Sequence, residues 1–180
     1  MGRTLYSVTM SLDGFIAGPE GDMSWLRPYL GPNPEVERLQ QDIGALLVGH
    51  RTFRGDDPHR GTDREGAFGG TWDGPVVVLT HHPPAEPVHG VRFATDLAAA
   101  LAEATAAAGD RYVNVLGADV ARQLLAAGEL DEVLTIVAPV LLGDGTRLFD
   151  HPGGTTVPLE QVGLTRLPHA TMLWFRVLRP

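Results

Sequence analysis

The run of residues 112–149 contains the clearest chemical pattern in the chain, a turn of small residues between a strand and a helix. The β-rich segment 112–116 ends on Gly117-Ala118, a helix-period segment then stops at Gly128, and 133–140 is typical of a buried strand. Such a junction can hold a phosphate against free N–H groups at the positive end of the helix dipole. Close strand–helix packing would need the same small residues, so the turn alone favours neither interpretation.

Three further positions could do chemistry. Asp13 precedes Gly14, where a carboxylate either makes a local Asx-turn or contacts a substrate. Arg51 follows the apolar segment 45–48 and is placed at the start of a helix, where a cation is disfavoured unless an anion joins it, so a phosphate is favoured there. Trp25 is interpreted equally well as a core residue and as a wall that stacks on a substrate.

A metal centre is not expected. His81-His82 together with Asp56, Asp57 and His59 could suggest one, but their spacing is neither helical nor compact, as strong ligand sets are. The chain has no cysteine, which excludes disulfides and thiolate chemistry. It also has no lysine, which excludes an internal Schiff base.

Composition restricts the partners. The chain has 180 residues and a net charge of −8, which argues against nucleic acid as the main partner. No apolar run approaches the length of a membrane span, and the amino-terminal residues do not resemble a secretory signal. We therefore expect a cytoplasmic protein that acts on a small molecule.

The elements that must position these residues alternate between strands and helices. Strands are predicted at 4–10, 45–48, 76–79, 91–94, 112–116 and 133–140, and helices at 34–43, after Thr95 or Asp96, and after Gly117. Segments 157–167 and 171–178 are predicted to form a terminal antiparallel pair, whereas 13–25 and 54–74 are predicted loops. This order predicts an α/β fold, a mainly parallel sheet with helices on both faces, in a single domain over 1–180.

Four stretches in this order resemble the dihydrofolate reductase-like superfamily: SLDGFIA at 11–17, GHRT at 49–52, LGA at 116–118 and PVLLGDG at 139–145. They are most similar to the reductase domain of the bifunctional riboflavin-biosynthesis deaminase-reductase (the RibD C-terminal domain) and its stand-alone bacterial relatives. The resemblance covers Leu5 to Phe175. It implies an eight-stranded, mainly parallel sheet, NADPH as hydride donor, a small nitrogen heterocycle as acceptor, and a homodimer.

The resemblance also implies roles for individual residues. Asp13 matches an acidic residue at the substrate end, and we expect it to orient the substrate and manage the proton, with Trp25 also contacting the substrate. The residues expected to bind the cofactor match the two phosphate turns, the 2′-phosphate corner and the nicotinamide flank of the family; they are Ile16, Ala17, Gly49, Arg51, Thr52, Leu79, Thr80, Leu116, Gly117, Ala118 and Val120.

The expected function is an NADPH-dependent reductase of a pyrimidine- or pteridine-like substrate, similar to 5-amino-6-(5-phosphoribosylamino)uracil reductase. Dihydrofolate reduction is an alternative, although Leu30 stands where that enzyme has a helix carboxylate. A non-catalytic ligand-binding module on the same fold is another, because Leu116 replaces the first glycine of a Gly-Gly pair. A metal hydrolase built from 54–82 is a distant third hypothesis.

Overall fold

A computed structural model describes residues 2–55, 57–150, 152–154 and 156–179. The strands are β1 (Thr4–Ser11), β2 (Phe15–Ala17), β3 (Ile43–Gly49), β4 (Val76–Leu79), β5 (Val91–Ala94), β6 (Tyr112–Leu116), β7 (Glu132–Ala138), β8 (Thr146–Arg147), β9 (Leu159–Arg166) and β10 (Thr171–Val177). The helices are α1 (Pro34–Asp42), α2 (His50–Arg54), α3 (Leu97–Ala108) and α4 (Ala118–Ala127), with short 3-10 helices at Pro19–Gly21 and Ser24–Tyr29.

Eight strands form one sheet in the order β5-β4-β3-β6-β1-β7-β10-β9. The strands from β5 to β7 are parallel, and β10 and β9 are antiparallel. The predicted α/β architecture with a terminal antiparallel pair is therefore confirmed. Strands β2 and β8 form a separate small pair.

The two faces of the sheet are covered differently. Helices α3 and α4 place alanine, valine and leucine side chains against one face, which includes Tyr6 and Leu47. Helix α1 covers the opposite face, where Leu39 packs among Leu5 and Leu46, and part of the 54–74 segment adds Phe68 and Trp72. The central strands are apolar on both sides because both sides are covered.

The ends of α3 and α4 are set by residues that the sequence identifies. Asp96 caps α3, and its carboxylate accepts from the N–H of Ala99 at 2.9 Å. Helix α4 begins after Gly117 and ends at Gly128, which has φ +72° in the left-handed region that glycine favours. Both predicted helices are confirmed.

Two parts of the prediction are wrong. Residues 15–17 form β2 instead of belonging to a loop, because they pair with β8, which follows them by about 130 positions. A strand of three residues is too short to show a period, so only this distant partner identifies it. Strand β7 ends at Ala138 and not at residue 140, and it is not buried throughout, since Ile136 and Val137 are partly exposed.

Candidate functional site

The carboxyl ends of β3 and β6 lie side by side at the point where the chain reverses its direction across the sheet. From β3 the chain passes through α2 to β4 on one side, and from β6 it passes through α4 to β7 on the other. In open α/β sheets, ligands bind in the crevice outside the strand ends at such a switch point. The turns at Gly49 and Gly117 both border this crevice.

Gly117 and the turn after β3 are in direct contact. Gly117 has φ +114° and ψ 130°, a conformation that other residues rarely adopt. A Cβ at this position would lie 2.7 Å from Oγ1 of Thr52 and 3.7 Å from the backbone nitrogen of Gly49. Three predicted cofactor residues are therefore close together, around a space that even one methyl group would obstruct.

The neighbouring side chains provide both charge and packing. Arg51 is exposed at the start of α2. The pKa of Asp119, on the first turn of α4, is lowered by hydrogen bonds from Arg122 and Gln123 and by the charge of Arg51. The Val120 side chain of α4 packs close to the turn after β3, since its methyl group would lie 3.1 Å from a Cβ on Gly49. The starts of α2 and α4 are thus in contact, and the exposed guanidinium of Arg51 lies next to them.

The corner after β4 is built around a buried hydroxyl. Thr80 is 4% exposed, and its Oγ1 lies 3.0 Å from Nδ1 of His50 and accepts from the N–H of His82 at 3.1 Å. The hydroxyl of Thr80 thus orients His50 at the start of α2. A phosphate approaching this corner would therefore meet the exposed Arg51 and His81 before Thr80 or the partly buried Leu79.

Strand β1 has a free edge at its carboxyl half. It pairs with β6 only over Thr4–Tyr6, whereas its pairing with β7 continues to Ser11. Residues 7–10 are partly exposed although β1 lies between two strands of the sheet. A cleft therefore opens between β1 and the end of β6, where Leu116 packs on the α1 face of the sheet next to the Gly117 turn.

Asp13 is held by three donors. Its Oδ1 accepts from the Ser11 hydroxyl at 2.6 Å and from the N–H of Leu142 at 3.1 Å, and its Oδ2 accepts from the N–H of Gly143 at 2.8 Å. The Ser11 hydrogen bond and those of Gly143 and Leu142 lower the pKa of Asp13 to about 2 against a weaker opposing effect of desolvation. At neutral pH the group is a carboxylate that accepts hydrogen bonds and does not donate a proton.

Strand β2 is held by the same Ser11 side chain that contacts Asp13. The N–H of Phe15 donates to Oγ of Ser11 at 2.9 Å, and the Arg147 guanidinium of β8 lies 4.6 Å above the Phe15 ring. Ile16 and Ala17 are each 9% exposed. The predicted nicotinamide flank is therefore a nearly buried strand and is not part of a loop.

Trp25 lies on the second 3-10 helix beside another aromatic residue. Its ring centroid is 6.5 Å from that of Tyr29, which lines a cavity of about 450 Å³ with Leu12, Val137 and Pro139. Indole Nε1 of Trp25 is buried, and no group in the described part of the chain forms a hydrogen bond with it. The cavity lies on the β7 side of β1, whereas the glycine turns lie on its β6 side.

The described ranges contain neither a cluster of metal-ligand side chains nor a helix that could cross a membrane. There, no three His, Asp or Glu side chains come together as metal ligands would. Asp56, a member of the candidate cluster, lies outside the described residues. In the same ranges, no helix has the length and apolar content that a membrane crossing requires.

The structure adds residues that the sequence analysis did not select. Ser11 and the backbone of 142–143 hold Asp13, and His50 is held by Thr80. Ser7 and Asn114 form a hydrogen bond of 2.8 Å between neighbouring strands. Ser11, His50 and residues 142–143 lie inside the stretches that carry the family resemblance, and Asn114 is a polar residue inside the apolar run YVNVL.

Comparison with known proteins gives a match over most of the chain. The family model of the RibD C-terminal domain matches residues 4–173. Among curated proteins, no sequence matches the chain.

Solved structures share the fold at low identity. A Shewanella sp. PV-4 protein assigned by inference to riboflavin biosynthesis has 21% identity and a TM-score of 0.76, covering 98% of this chain and 99% of its own. The Thermotoga maritima diaminohydroxyphosphoribosylaminopyrimidine deaminase/5-amino-6-(5-phosphoribosylamino)uracil reductase has 20% identity and a TM-score of 0.71, covering 98% of this chain and 57% of its own. Dihydrofolate reductase from Enterococcus faecalis, complexed with NADP(H) and RAB-propyl, has 17% identity and a TM-score of 0.63, covering 98% of this chain and 96% of its own.

Proposed function

Because the chain belongs to the RibD C-terminal domain family, a family of NAD(P)H-dependent reductases, we propose that it reduces a small heterocycle with NADPH. The observation that carries the proposal is the contact between two strand-end turns at the switch point. Gly117 leaves room against Thr52 and Gly49 that any side chain would fill. Such a space, bordered by backbone N–H groups and the start of α4, suits a diphosphate.

Different residues around this space would bind different parts of the cofactor. The N–H groups at Gly117-Ala118 and Thr52 would hold the diphosphate, with Val120 and Leu116 packing behind them. Arg51, which is exposed and follows the His50 that contacts Thr80, would pair with the 2′-phosphate that distinguishes NADPH from NADH. When bound, the cofactor supplies the hydride.

The chain's own contribution to the reaction is alignment and the exclusion of water. The free edge of β1 and the nearly buried Ile16 and Ala17 would hold the reacting rings in one orientation. Asp13 would keep the corner between β1 and the 139–145 segment in place and orient the acceptor as an anion. Trp25 would contact only a part of the acceptor that extends past β1, because its neighbour Tyr29 lines the cavity on the β7 side of that strand.

We propose a pyrimidine- or pteridine-like acceptor, similar to the substrate named for the Thermotoga maritima reductase. Leu30 stands where dihydrofolate reductase has a helix carboxylate, and it lies before α1 with 38% of its surface exposed. Because a leucine cannot supply that carboxylate, folate reduction is disfavoured. We also propose a homodimer, because the outer hairpin leaves large apolar side chains in solvent. Leu159, Val162 and Leu164 are 48%, 43% and 63% exposed.

Calorimetric titration of NADPH and NADH into the purified protein tests the proposal. We expect NADPH to bind at least tenfold more tightly, and we expect Arg51→Ala to abolish this preference. Arg54→Ala, a change to an exposed arginine on the same short helix, is the matched control and should leave both affinities unchanged. Absence of NADPH binding would refute the proposal, whereas binding without oxidation by any heterocyclic acceptor would favour a non-catalytic module.

A further inference from the structure

A polar pair interrupts the apolar face of the sheet beneath α1. Asn114 of β6 and Ser7 of β1 belong to the face that otherwise carries Leu5, Leu46 and Leu134. The Ser7 hydroxyl lies 2.8 Å from Oδ1 of Asn114. Asn114 is fully buried at 0% exposure, whereas Ser7 is partly exposed where β1 and β6 separate.

The amide of Asn114 has an unused group. Its Nδ2 is buried and has no hydrogen-bond partner among the residues that the structure describes. A buried donor without a partner destabilises a protein, and such groups in native structures call for an explanation. Because Oδ1 of the same amide is bonded to Ser7, the unused donor lies next to the partly exposed hydroxyl.

The pair therefore offers one donor and one acceptor side by side. If the Ser7 hydroxyl donates to Oδ1, its lone pairs can accept from a ligand N–H, while Nδ2 can donate to a ligand carbonyl. If the amide is turned over, Ser7 accepts from Nδ2, and the hydroxyl and Oδ1 offer the same two functions in exchanged order. Both arrangements complement a lactam edge, –C(=O)–NH–.

We propose that Ser7 and Asn114 determine acceptor specificity by binding the lactam edge of a flat heterocycle. The inference rests on the proposed function, because the acceptor must lie in the cleft between β1 and the Gly117 turn to receive a hydride. It adds to that function the edge of the acceptor that is recognised and the two side chains that recognise it. Thr9, two positions further along the same face of β1 and also partly exposed, extends this polar surface towards the carboxyl edge.

A matched pair of ligands tests the proposal. Lumazine, a bicyclic dilactam, and its N,N-dimethyl derivative are titrated into the protein saturated with NADP⁺, so that no turnover occurs. We expect the dimethyl compound to bind at least tenfold more weakly, because it lacks the N–H groups. Ser7→Ala, Asn114→Leu and Asn114→Asp should each reduce this difference to less than threefold.

Thermal unfolding of the same variants separates recognition from a structural role. Asn114→Leu should unfold at or above the wild-type temperature, because it removes a buried donor that the free protein does not satisfy. Thr165→Ala, which removes a hydroxyl near Met172 and Trp174 on the outer strands, should leave the selectivity unchanged. The proposal is overturned if lumazine and its derivative bind alike or not at all, or if Asn114→Leu unfolds far earlier while selectivity persists. Failure of NADP⁺ itself to bind would instead count against the reductase function and remove this inference with it.

Discussion

The role that the sequence predicts for Asp13 differs from the contacts that its side chain makes in the structure. From the sequence, Asp13 is a candidate to contact the substrate and to manage the proton in the reaction. In the structure, its carboxylate accepts hydrogen bonds from Ser11, Leu142 and Gly143. These donors lie 2 residues away and about 130 residues away, and no local pattern reveals the distant ones. The geometry favours a carboxylate that orients its surroundings.

The lowered pKa of Asp13 gives a prediction about pH. A carboxyl whose folded pKa is about 2 and whose unfolded value is about 3.9 stabilises the fold fully above the unfolded value. This contribution is lost as the pH falls from about 4 towards 2. Urea unfolding should therefore show Asp13→Asn to be less stable than wild type at neutral pH, with a difference that narrows in this acidic window. Asp144→Asn is the control, since within the described ranges the Asp144 carboxylate accepts from the adjacent Gly145 N–H alone and so joins no second element there.

Gly117 gives a second prediction at the residue scale. Gly117→Ala should weaken NADPH binding at least tenfold, because the added methyl group would approach Oγ1 of Thr52, and the backbone strain should destabilise the fold by about 1–3 kcal/mol. Gly128→Ala, at the other end of α4, also places alanine at a positive φ, but in the milder left-handed region at φ +72°, and nothing lies within 4 Å of its Cβ. It should lower stability without changing the NADPH affinity. Equal affinities in the two variants would show that the Gly117 turn does not border the cofactor.

At the scale of elements, the strands and helices of the regular α/β part are predictable because their signals are local. Asp96 and Gly128 mark helix ends, and the apolar runs that become β3, β4 and β6 are buried from both sides. What the sequence cannot show is set by pairing between distant segments. Strand β2 exists because β8 pairs with it, and the cleft beside β1 exists because β6 ends earlier than β7. The candidate site was therefore predictable as a set of turns, but the groups that hold Asp13 and Asn114 were not.

The amino-terminal ends of the central strands carry a polar cluster that supports the sheet away from the site. Glu132 is 3% exposed and accepts from Arg3 at 2.5 Å, from the Tyr112 hydroxyl at 3.0 Å and from Trp174 Nε1 at 2.7 Å. Burial and the Glu132 carboxylate raise the pKa of Tyr112 to about 12. The cluster thus joins the residue before β1 to β6, β7 and β10 through one carboxylate.

Removing that carboxylate should separate stability from binding. Glu132→Ala leaves three donors without their acceptor and should lower the free energy of unfolding by roughly 2–4 kcal/mol. Glu132→Gln keeps an acceptor oxygen and should lower it less. Chemical denaturation measures both, and titration at low temperature should show an unchanged NADPH affinity, because the cluster lies at the opposite edge of the sheet from the glycine turns. A loss of NADPH binding in folded Glu132→Gln would contradict this separation.

At the scale of the whole molecule, the sheet is covered unevenly. Helices α3 and α4 pack mainly over β3, β4, β5 and β6. On the outer hairpin, Leu164 of β9 pairs with Leu173 of β10, and Leu164 is 63% exposed. Val162, at the bulge of β9 two residues before Leu164, is 43% exposed. Neighbouring apolar side chains in solvent favour association, and a second copy placing the same hairpin against this one would bury them symmetrically.

Sedimentation velocity tests the homodimer and its location. The wild-type protein should sediment at twice the chain mass of 19.3 kDa, and Leu164→Glu should sediment as a single chain, because a charge would be buried without a partner in the interface. Val88→Glu changes an equally apolar residue, 39% exposed, in the loop before β5 and should remain dimeric. If Leu164→Glu is a monomer that still binds NADPH with wild-type affinity, each subunit contains a complete cofactor site, as expected from Gly49, Thr52 and Gly117 belonging to one chain. A wild-type protein that remains a single chain at every concentration would show that the exposed hairpin is not a self-association surface.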